Sequence, residues 1–229
     1  MEARVFLGVG HGGSDPGAVA NGFKEKDLNL SIALACKDEL ERHGVHVLLS
    51  RTKDENETLS EKTKECNAFN PDLALDIHNN AGGGDGAEVY YHYGGGTSKV
   101  LALNILDAIK ETGQNSRGAK TKLNSSGGDY YAFIRNTKSP AVIVECAFLD
   151  NKNDIQIIDT AAEQKQMGVA VAKGVLKTLG IAYKAQEAPG KEETTGKLYR
   201  VQVGAYAVKA NAEAMLKKLK DAGYDAFIV

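Results

Sequence analysis

The 229-residue sequence has no long hydrophobic run and no excess of charge of one sign. Its apolar runs fall well short of the roughly 20 residues that a membrane-spanning helix needs. Its 28 Lys and Arg residues nearly balance its 30 Asp and Glu residues. This balance argues against a general binder of nucleic acids or anionic membranes. The first residues also lack the apolar core and cleavage site of a signal peptide, so we expect synthesis in the cytoplasm.

Cysteine is scarce, and Cys36, Cys66 and Cys146 are widely spaced. An odd number of cysteines without a Cys-x-x-Cys pair argues against a disulfide framework and against a structural zinc site. We therefore expect three buried, reduced thiols. The content of 42% hydrophobic and 25% charged residues is ordinary for a globular protein with a substantial core.

Strand-like and helix-like runs alternate over residues 1–183. The short apolar runs at residues 5–9, 45–49, 73–77, 87–93 and 141–144 read as strands. Between them apolar residues recur at helical spacing, and capping-box patterns at Thr58 and Thr160 mark two helix starts. This alternation predicts an α/β fold with a mostly parallel twisted sheet and helices on both faces.

The remaining sequence divides into a charged segment and a small unit. Residues 184–197 are poor in apolar residues, and we interpret them as a linker. Residues 198–229 predict a βαβ unit, with strands at 198–203 and 224–229 and a helix over 211–222. Such a unit is too small to bury a core alone. Because exposed strand edges invite pairing, we expect a homodimer through this unit.

Chemically active side chains follow three of the predicted strands. His11, His78 and Glu145 each come directly after an apolar run, and Glu25 stands just before the first predicted helix. Ligands of open α/β sheets collect beyond the carboxyl ends of the strands. Two imidazoles and one carboxylate with an open position are typical of catalytic zinc, which acidifies a water molecule and polarises a carbonyl.

A second carboxylate is then needed to move a proton to the leaving nitrogen. We assign Glu25 to the metal and Glu145 to proton transfer, although the residue pattern alone leaves this choice open. Glu145 is anomalous in an apolar strand, because burying an unpaired carboxylate costs free energy. Asp15 is either a hydrogen-bond acceptor for His11 or a turn residue. The glycines around His11 lack the spacing of a phosphate-binding loop.

Four ordered segments resemble the zinc-dependent N-acetylmuramoyl-L-alanine amidases of the Amidase_3 family. They are GHGGSDPGA, KEKDLNLSIA, LDIHNNA and SPAVIVECAFLDN. The resemblance implies that His11, Glu25 and His78 hold zinc and that Glu145 is the catalytic acid/base. It implies hydrolysis of the amide between the lactyl group of N-acetylmuramic acid and L-alanine in peptidoglycan. Substrate contacts are expected for Asn80 and Arg135.

The segment LYRVQVGAYAVKANAEAMLKKLKDAGYDAFIV resembles the first half of a sporulation-related (SPOR) repeat, a family that binds peptidoglycan glycan strands. We therefore predict a catalytic domain over residues 1–183 and a wall-binding or dimerising unit over 198–229, acting on the cell wall after release. The sequence departs from the amidase pattern in two places, since Val9-Gly10 replaces Asp-Pro and Asp76 replaces Ser. The alternatives are a zinc carboxypeptidase on the stem peptide and a non-catalytic wall-binding protein.

Overall fold

The computed structural model describes residues 2–185, 202–221 and 226–228. A six-stranded sheet with the order β4-β1-β5-β8-β6-β7 forms its centre, and β2 and β3 form a separate small hairpin. The strands are β1 (Arg4–Val9), β2 (Val19–Ala20), β3 (Phe23–Lys24), β4 (His46–Leu49), β5 (Leu73–Asn80), β6 (Ala87–Tyr91), β7 (Ser116–Lys120) and β8 (Ala141–Phe148). Strands β4, β1, β5 and β8 are parallel, whereas β6 runs antiparallel to β8 and parallel to β7. The predicted mostly parallel sheet is confirmed.

Helices cover both faces of this sheet, as the alternating pattern predicts. They are α1 (Glu25–Arg42), α2 (Leu59–Phe69), α3 (Thr97–Lys110), α4 (Ala132–Asn136), α5 (Lys152–Ile155), α6 (Ala161–Leu179) and, in the C-terminal region, α7 (Lys209–Asp221). Helices α1, α3 and α6 pack together on one face, and α2 and α4 lie on the other. Thr58 and Thr160 both form complete capping boxes, so the two predicted helix starts are confirmed.

The two faces of the sheet bury two separate apolar clusters. In β8, Val142, Val144 and Cys146 belong to the larger cluster under α1, α3 and α6. Ala141 and Ile143 belong to the smaller cluster under α2 and α4. Successive side chains of a strand point to opposite faces, and both faces are covered, so the strands are apolar without interruption. All three cysteines are buried and free, as expected.

Two central strands extend further than their apolar runs. The predicted runs end at residues 77 and 144, whereas β5 continues to Asn80 and β8 to Phe148. His78 and Glu145 therefore lie within strands rather than after them, and they are direct partners across the sheet. Hydrogen bonds between strands involve only the backbone, so strand pairing continues through polar residues that interrupt an apolar pattern.

The chain divides into two compact units, Met1–Lys184 and Ala185–Val229. In the second unit, α7 overlaps the predicted helix. Described residues 202–203 and 226–228 form no strand, although the sequence predicts strands there. The rest of both predicted strands, and residues 186–197 of the predicted linker, lie outside the described residues. Within the described part of the chain, no helix combines the length and the apolar character needed to cross a bilayer.

Helices α1 and α6 approach each other closely at a glycine. A Cβ atom added to Gly168 would lie 2.5 Å from the carbonyl oxygen of Ile32 and 2.8 Å from the amide nitrogen of Cys36. Both neighbouring atoms belong to the backbone of α1, so they cannot move aside as a flexible side chain would. The packing of the two helices therefore requires the absence of a side chain at this position.

We expect Gly168→Ala to lower the free energy of unfolding by about 1–3 kcal/mol, because the added methyl group overpacks the contact between α1 and α6. Alanine otherwise favours a helix interior over glycine by about 1 kcal/mol, so the close contact reverses the sign. Urea denaturation measures the change. Gln166→Ala, on the exposed side of α6, is the control and should change stability by less than about 0.5 kcal/mol. A Gly168→Ala variant as stable as the parent would contradict the close approach.

Candidate metal centre

Three potential metal ligands converge at one edge of the sheet. His11 follows β1, Glu25 is the first residue of α1, and His78 lies in β5. The Nε2 atom of His11 is 3.1 Å from Oε2 of Glu25, and Nδ1 of His78 is 2.9 Å from Oε1. One ligand atom from each residue lies within 4.8 Å of the others. The sequence prediction that these three residues come together is confirmed by this geometry.

Glu25 is almost fully buried between the two histidines. Its side chain also accepts hydrogen bonds from the backbone amides of Ala18, at 2.9 Å, and Asn79, at 3.2 Å. Burial opposes ionisation, but the hydrogen bonds from His11 and His78 outweigh it and hold the pKa of Glu25 well below its usual value. Glu25 is therefore a fixed negative charge at the centre of the cluster.

Each histidine turns its second ring nitrogen toward another carboxylate. Nδ1 of His11 is 2.7 Å from Oδ2 of Asp15, and Nε2 of His78 is 3.4 Å from Oδ2 of Asp76. Asp15 therefore contacts His11, which agrees with its interpretation as a hydrogen-bond acceptor for that ring. A carboxylate on one ring nitrogen fixes the tautomer and leaves the other nitrogen free to act as a ligand.

The carboxylates also raise the affinity of both rings for protons. Despite the opposing effect of burial, Asp76 and Glu25 raise the pKa of His78 to about 10. The hydrogen bond to Glu25 raises the pKa of His11, again against partial burial. The site thus concentrates negative charge around two imidazoles. The side chains of His11 and His78 are 26% and 20% exposed, so both rings are accessible from solvent.

A buried ion pair lies behind His78 and is not predicted from the sequence. Nζ of Lys62, on α2, is 2.9 Å from Oδ1 of Asp76 and 3.1 Å from the carbonyl oxygen of Val9. Burial opposes ionisation of Asp76, but Lys62 and His78 hold its pKa well below the usual value. The sequence signal for this pair is the single charge in the apolar run LALDI. The pair anchors the carboxylate that faces the ring of His78.

The absence of a side chain at Gly10 leaves space for the ring of His78. A Cβ atom added to Gly10 would lie 2.3 Å from Cε1 of the His78 ring. His11, the next residue, has a left-handed backbone with φ of 59°, which is uncommon outside glycine, asparagine and aspartate. Gly10 thus leaves room for the ring of His78, whose centroid lies 5.1 Å from that of His11.

Glu145 lies beside the cluster without belonging to it. It pairs with His78 across the sheet, and its Oε2 atom is enclosed without a hydrogen-bond partner among the described residues. Burial raises the pKa of Glu145 to about 7, although His78 acts in the opposite direction. A carboxyl group that titrates near neutrality is suited to both accept and donate a proton. The sequence indicates an unpaired carboxylate in an apolar strand at Glu145, and within the described part of the chain the structure has one there.

The two predicted substrate contacts already have partners within the protein. The Nδ2 atom of Asn80 donates to Oε1 of Glu88 at 3.0 Å, and its Oδ1 atom accepts from the backbone amide of Ala81. Arg135, on α4, donates from one Nη atom to the carbonyl oxygen of Tyr130 at 3.0 Å. Contact of Asn80 and Arg135 with substrate remains a prediction.

Comparison with known proteins gives consistent matches. The family described as N-acetylmuramoyl-L-alanine amidase matches residues 5–177, and the SPOR domain family matches residues 171–229. The chain is 35% identical over 230 residues to N-acetylmuramoyl-L-alanine amidase CwlM of Bacillus licheniformis, covering 99% of this chain and 84% of that protein. It is 34% identical over 238 residues to the endolysin of Bacillus phage SPP1, covering 99% and 83%. The solved structure of amidase AmiC2 of Nostoc punctiforme has a TM-score of 0.71 at 28% identity, covering 78% of this chain and 97% of that chain.

The amidase match spans most of the chain and includes every residue of the His, Glu and His cluster. The SPOR match adds a domain that implies binding to peptidoglycan. Together with the α/β fold and the metal-binding geometry, these matches show that the chain belongs to the N-acetylmuramoyl-L-alanine amidases, which are peptidoglycan hydrolases.

Proposed function

We propose that His11, Glu25 and His78 hold one zinc ion in this amidase and that Glu145 moves the proton during hydrolysis. The observation that carries the proposal is the convergence of three ligand atoms within 4.8 Å beside a carboxyl group, one oxygen of which has no hydrogen-bond partner among the described residues. The matched family cleaves the bond between N-acetylmuramic acid and L-alanine, so the substrate of this site is the lactyl amide of peptidoglycan.

The donor set fits zinc. Two imidazole nitrogens and one carboxylate oxygen are the ligands of many catalytic zinc sites, which keep one further position open. Asp15 and Asp76 face the remaining ring nitrogens of His11 and His78, as expected for histidines that bind a metal. A zinc ion held there would polarise the scissile carbonyl and stabilise negative charge on its oxygen.

Glu145 supplies the proton transfer that amide hydrolysis requires. Its carboxylate accepts a proton from the attacking water, while the water oxygen forms a bond with the lactyl carbonyl carbon. The bond between that carbon and the nitrogen of L-alanine then breaks, and the nitrogen leaves with the proton from Glu145. A pKa of about 7 allows the same side chain to perform both steps near neutral pH.

For the chain as a whole, we propose a catalytic domain over residues 1–183, a linker over 184–197 and a peptidoglycan-binding or dimerising unit over 198–229. The matches to an amidase family and to a SPOR family in this order support the division.

The new chain ends produced by hydrolysis distinguish the amidase from the carboxypeptidase alternative. Free lactyl groups and new L-alanine amino termini indicate the amidase, whereas shortened peptides indicate the carboxypeptidase.

We expect Glu145→Gln to lower the rate of amide hydrolysis by about 100-fold or more, because the glutamine is isosteric but cannot accept the proton. The measurement is the release of L-alanine amino termini from purified cell walls. Bound zinc should remain at the parental level, because Glu145 is not a ligand. Glu111→Gln, at an exposed glutamate of the same domain, is the matched control. Near-parental hydrolysis by Glu145→Gln would exclude its assigned role.

Removal of the metal should abolish hydrolysis, because the carbonyl would no longer be polarised. We expect a chelator to reduce the release of new ends to background and about one equivalent of zinc to restore it. Mass spectrometry of the digested walls identifies the ends. Full activity in protein shown to be metal-free by elemental analysis would contradict the proposal.

Replacement of one ligand should have the same effect without a chelator. We expect His78→Ala to lose most of its bound zinc and its activity, because only two of the three ligands remain. His46→Ala, at an exposed histidine of β4, is the control and should retain both. Unchanged zinc content in purified His78→Ala would exclude His78 as a ligand.

The homodimer predicted from the C-terminal unit stays a proposal. Its physical basis is that a small unit with exposed apolar side chains, such as Val203, Tyr206 and Phe227, gains burial by pairing with a second copy. Sedimentation velocity over a range of protein concentrations should show the mass rise from monomer to dimer. A monomer mass at every concentration is the result that would rule this dimer out.

A further inference from the structure

A second buried carboxylate, Glu88 in β6, lies at the centre of a hydrogen-bonded cluster. Its Oε1 atom accepts hydrogen bonds from Nδ2 of Asn80, at 3.0 Å, and from the hydroxyl of Tyr90, at 2.9 Å. Its Oε2 atom accepts from Nε of Arg117, at 2.9 Å, and from Nζ of Lys120. Both oxygens of Glu88 are therefore satisfied, and two cations are held on one anion.

The strand register places this cluster beside the catalytic groups. Glu88 pairs with Glu145 of β8, and Glu145 pairs with His78 of β5. Direct partners on neighbouring strands project from the same face, and neighbouring strands lie about 4.8 Å apart. His78, Glu145 and Glu88 therefore form a row across one face of the sheet. A register shift opposite Ala87 and Glu88 brings Arg117 of β7 against the end of this row.

The cluster has one positive charge in excess, and that charge faces solvent. The side chains of Arg117 and Lys120 are 39% and 32% exposed, whereas that of Glu88 is only 4% exposed. Among the described residues, the Nη atoms of Arg117 have no hydrogen-bond partner. The guanidinium group also lies 5.1 Å from the centre of the Phe148 ring, which holds it in place. These unused donors are thus held in a fixed position on β7, which β6 separates from β8 and Glu145.

We propose that Arg117 and Lys120 form a subsite for a carboxylate on the peptide portion of the substrate, and that Glu88 positions them. The inference rests on the proposed function, because it takes the scissile amide to lie against Glu145. On the glycan side, the lactyl carboxyl group is consumed in that amide, so free carboxylates belong to the peptide side. Arginine and lysine bind carboxylates through charge-assisted hydrogen bonds, which are stronger than those between neutral groups.

The test compares two soluble muramoyl peptides that differ only in whether the peptide carboxylates are free or amidated. For the unmodified enzyme with its zinc, we expect kcat/KM to be at least about tenfold higher for the free carboxylates, the factor that one charge-assisted hydrogen bond supplies. The difference should appear mainly in KM, because the charge is remote from the reacting bond. It should shrink as ionic strength rises, because both cations are partly exposed.

Variants of Arg117 and Lys120 test whether these two cations cause the preference for peptides with free carboxylates. Lys120→Met and Arg117→Gln should each bring the ratio of the two kcat/KM values toward one, chiefly by raising KM for the carboxylate peptide. Lys122→Met is the matched control, because Lys122 lies over the ring of Tyr130 at 3.9 Å and makes no contact with Glu88. It should keep the parental ratio. Thermal unfolding of each variant measures any loss of folded protein separately.

Three outcomes overturn the subsite. The first is equal cleavage of both peptides at the lactyl amide by the unmodified enzyme, which leaves the proposed function intact. The second is an equal loss on both peptides in the Lys120→Met and Arg117→Gln variants, which gives the two cations a structural role only. The third is cleavage of neither peptide at that bond, which overturns the subsite and the proposed function together.

Discussion

The structure of the site depends on one buried carboxylate that two histidines share. Glu25 contacts His11 through one oxygen and His78 through the other, and it accepts hydrogen bonds from the backbone amides of Ala18 and Asn79. A buried charge without such partners would cost several kcal/mol. The end of β1, the first turn of α1 and the end of β5 must therefore meet in one arrangement for the charge of Glu25 to be compensated.

Other buried charges on this face of the sheet are also compensated by neighbouring groups. Toward the carboxyl end of β5 the apolar cluster gives way to paired charges, first Asp76 with Lys62 and then the shared charge of Glu25. In β6, Glu88 is likewise satisfied by its neighbours. Glu145 differs, because one of its oxygens has no partner among the described residues. The group to which we assign the proton transfer thus keeps one carboxylate oxygen without a partner among the described residues.

Much of the first compact unit could be predicted from the sequence, because its signals are local. Strand runs and capping boxes depend on neighbouring residues, and the carboxyl-end rule then brings His11 and His78 together. The choice between Glu25 and Glu145 depends on contacts between distant segments, so the residue pattern alone left it open. Strand β7 (SRGAK) has no apolar alternation, so its sequence does not predict a strand. Its order comes from pairing with β6. The buried position of Lys62 cannot be predicted from such signals, because a lysine on a helix normally faces solvent.

The reversed direction of β6 has a consequence for how this enzyme can diversify. Because β6 is antiparallel to β8, Glu88, the second residue of β6, pairs with Glu145, the fifth of the eight residues of β8. The glycine-rich turn of residues 81–86, which joins β5 to β6, therefore lies next to the row of His78, Glu145 and Glu88, and Asp150 anchors it through the amides of Gly82 and Gly83. Insertions or deletions in this turn would change the surface beside that row while every strand kept its register. Substrate range can thus change through mutations in this short turn while the residues of the candidate metal centre stay the same.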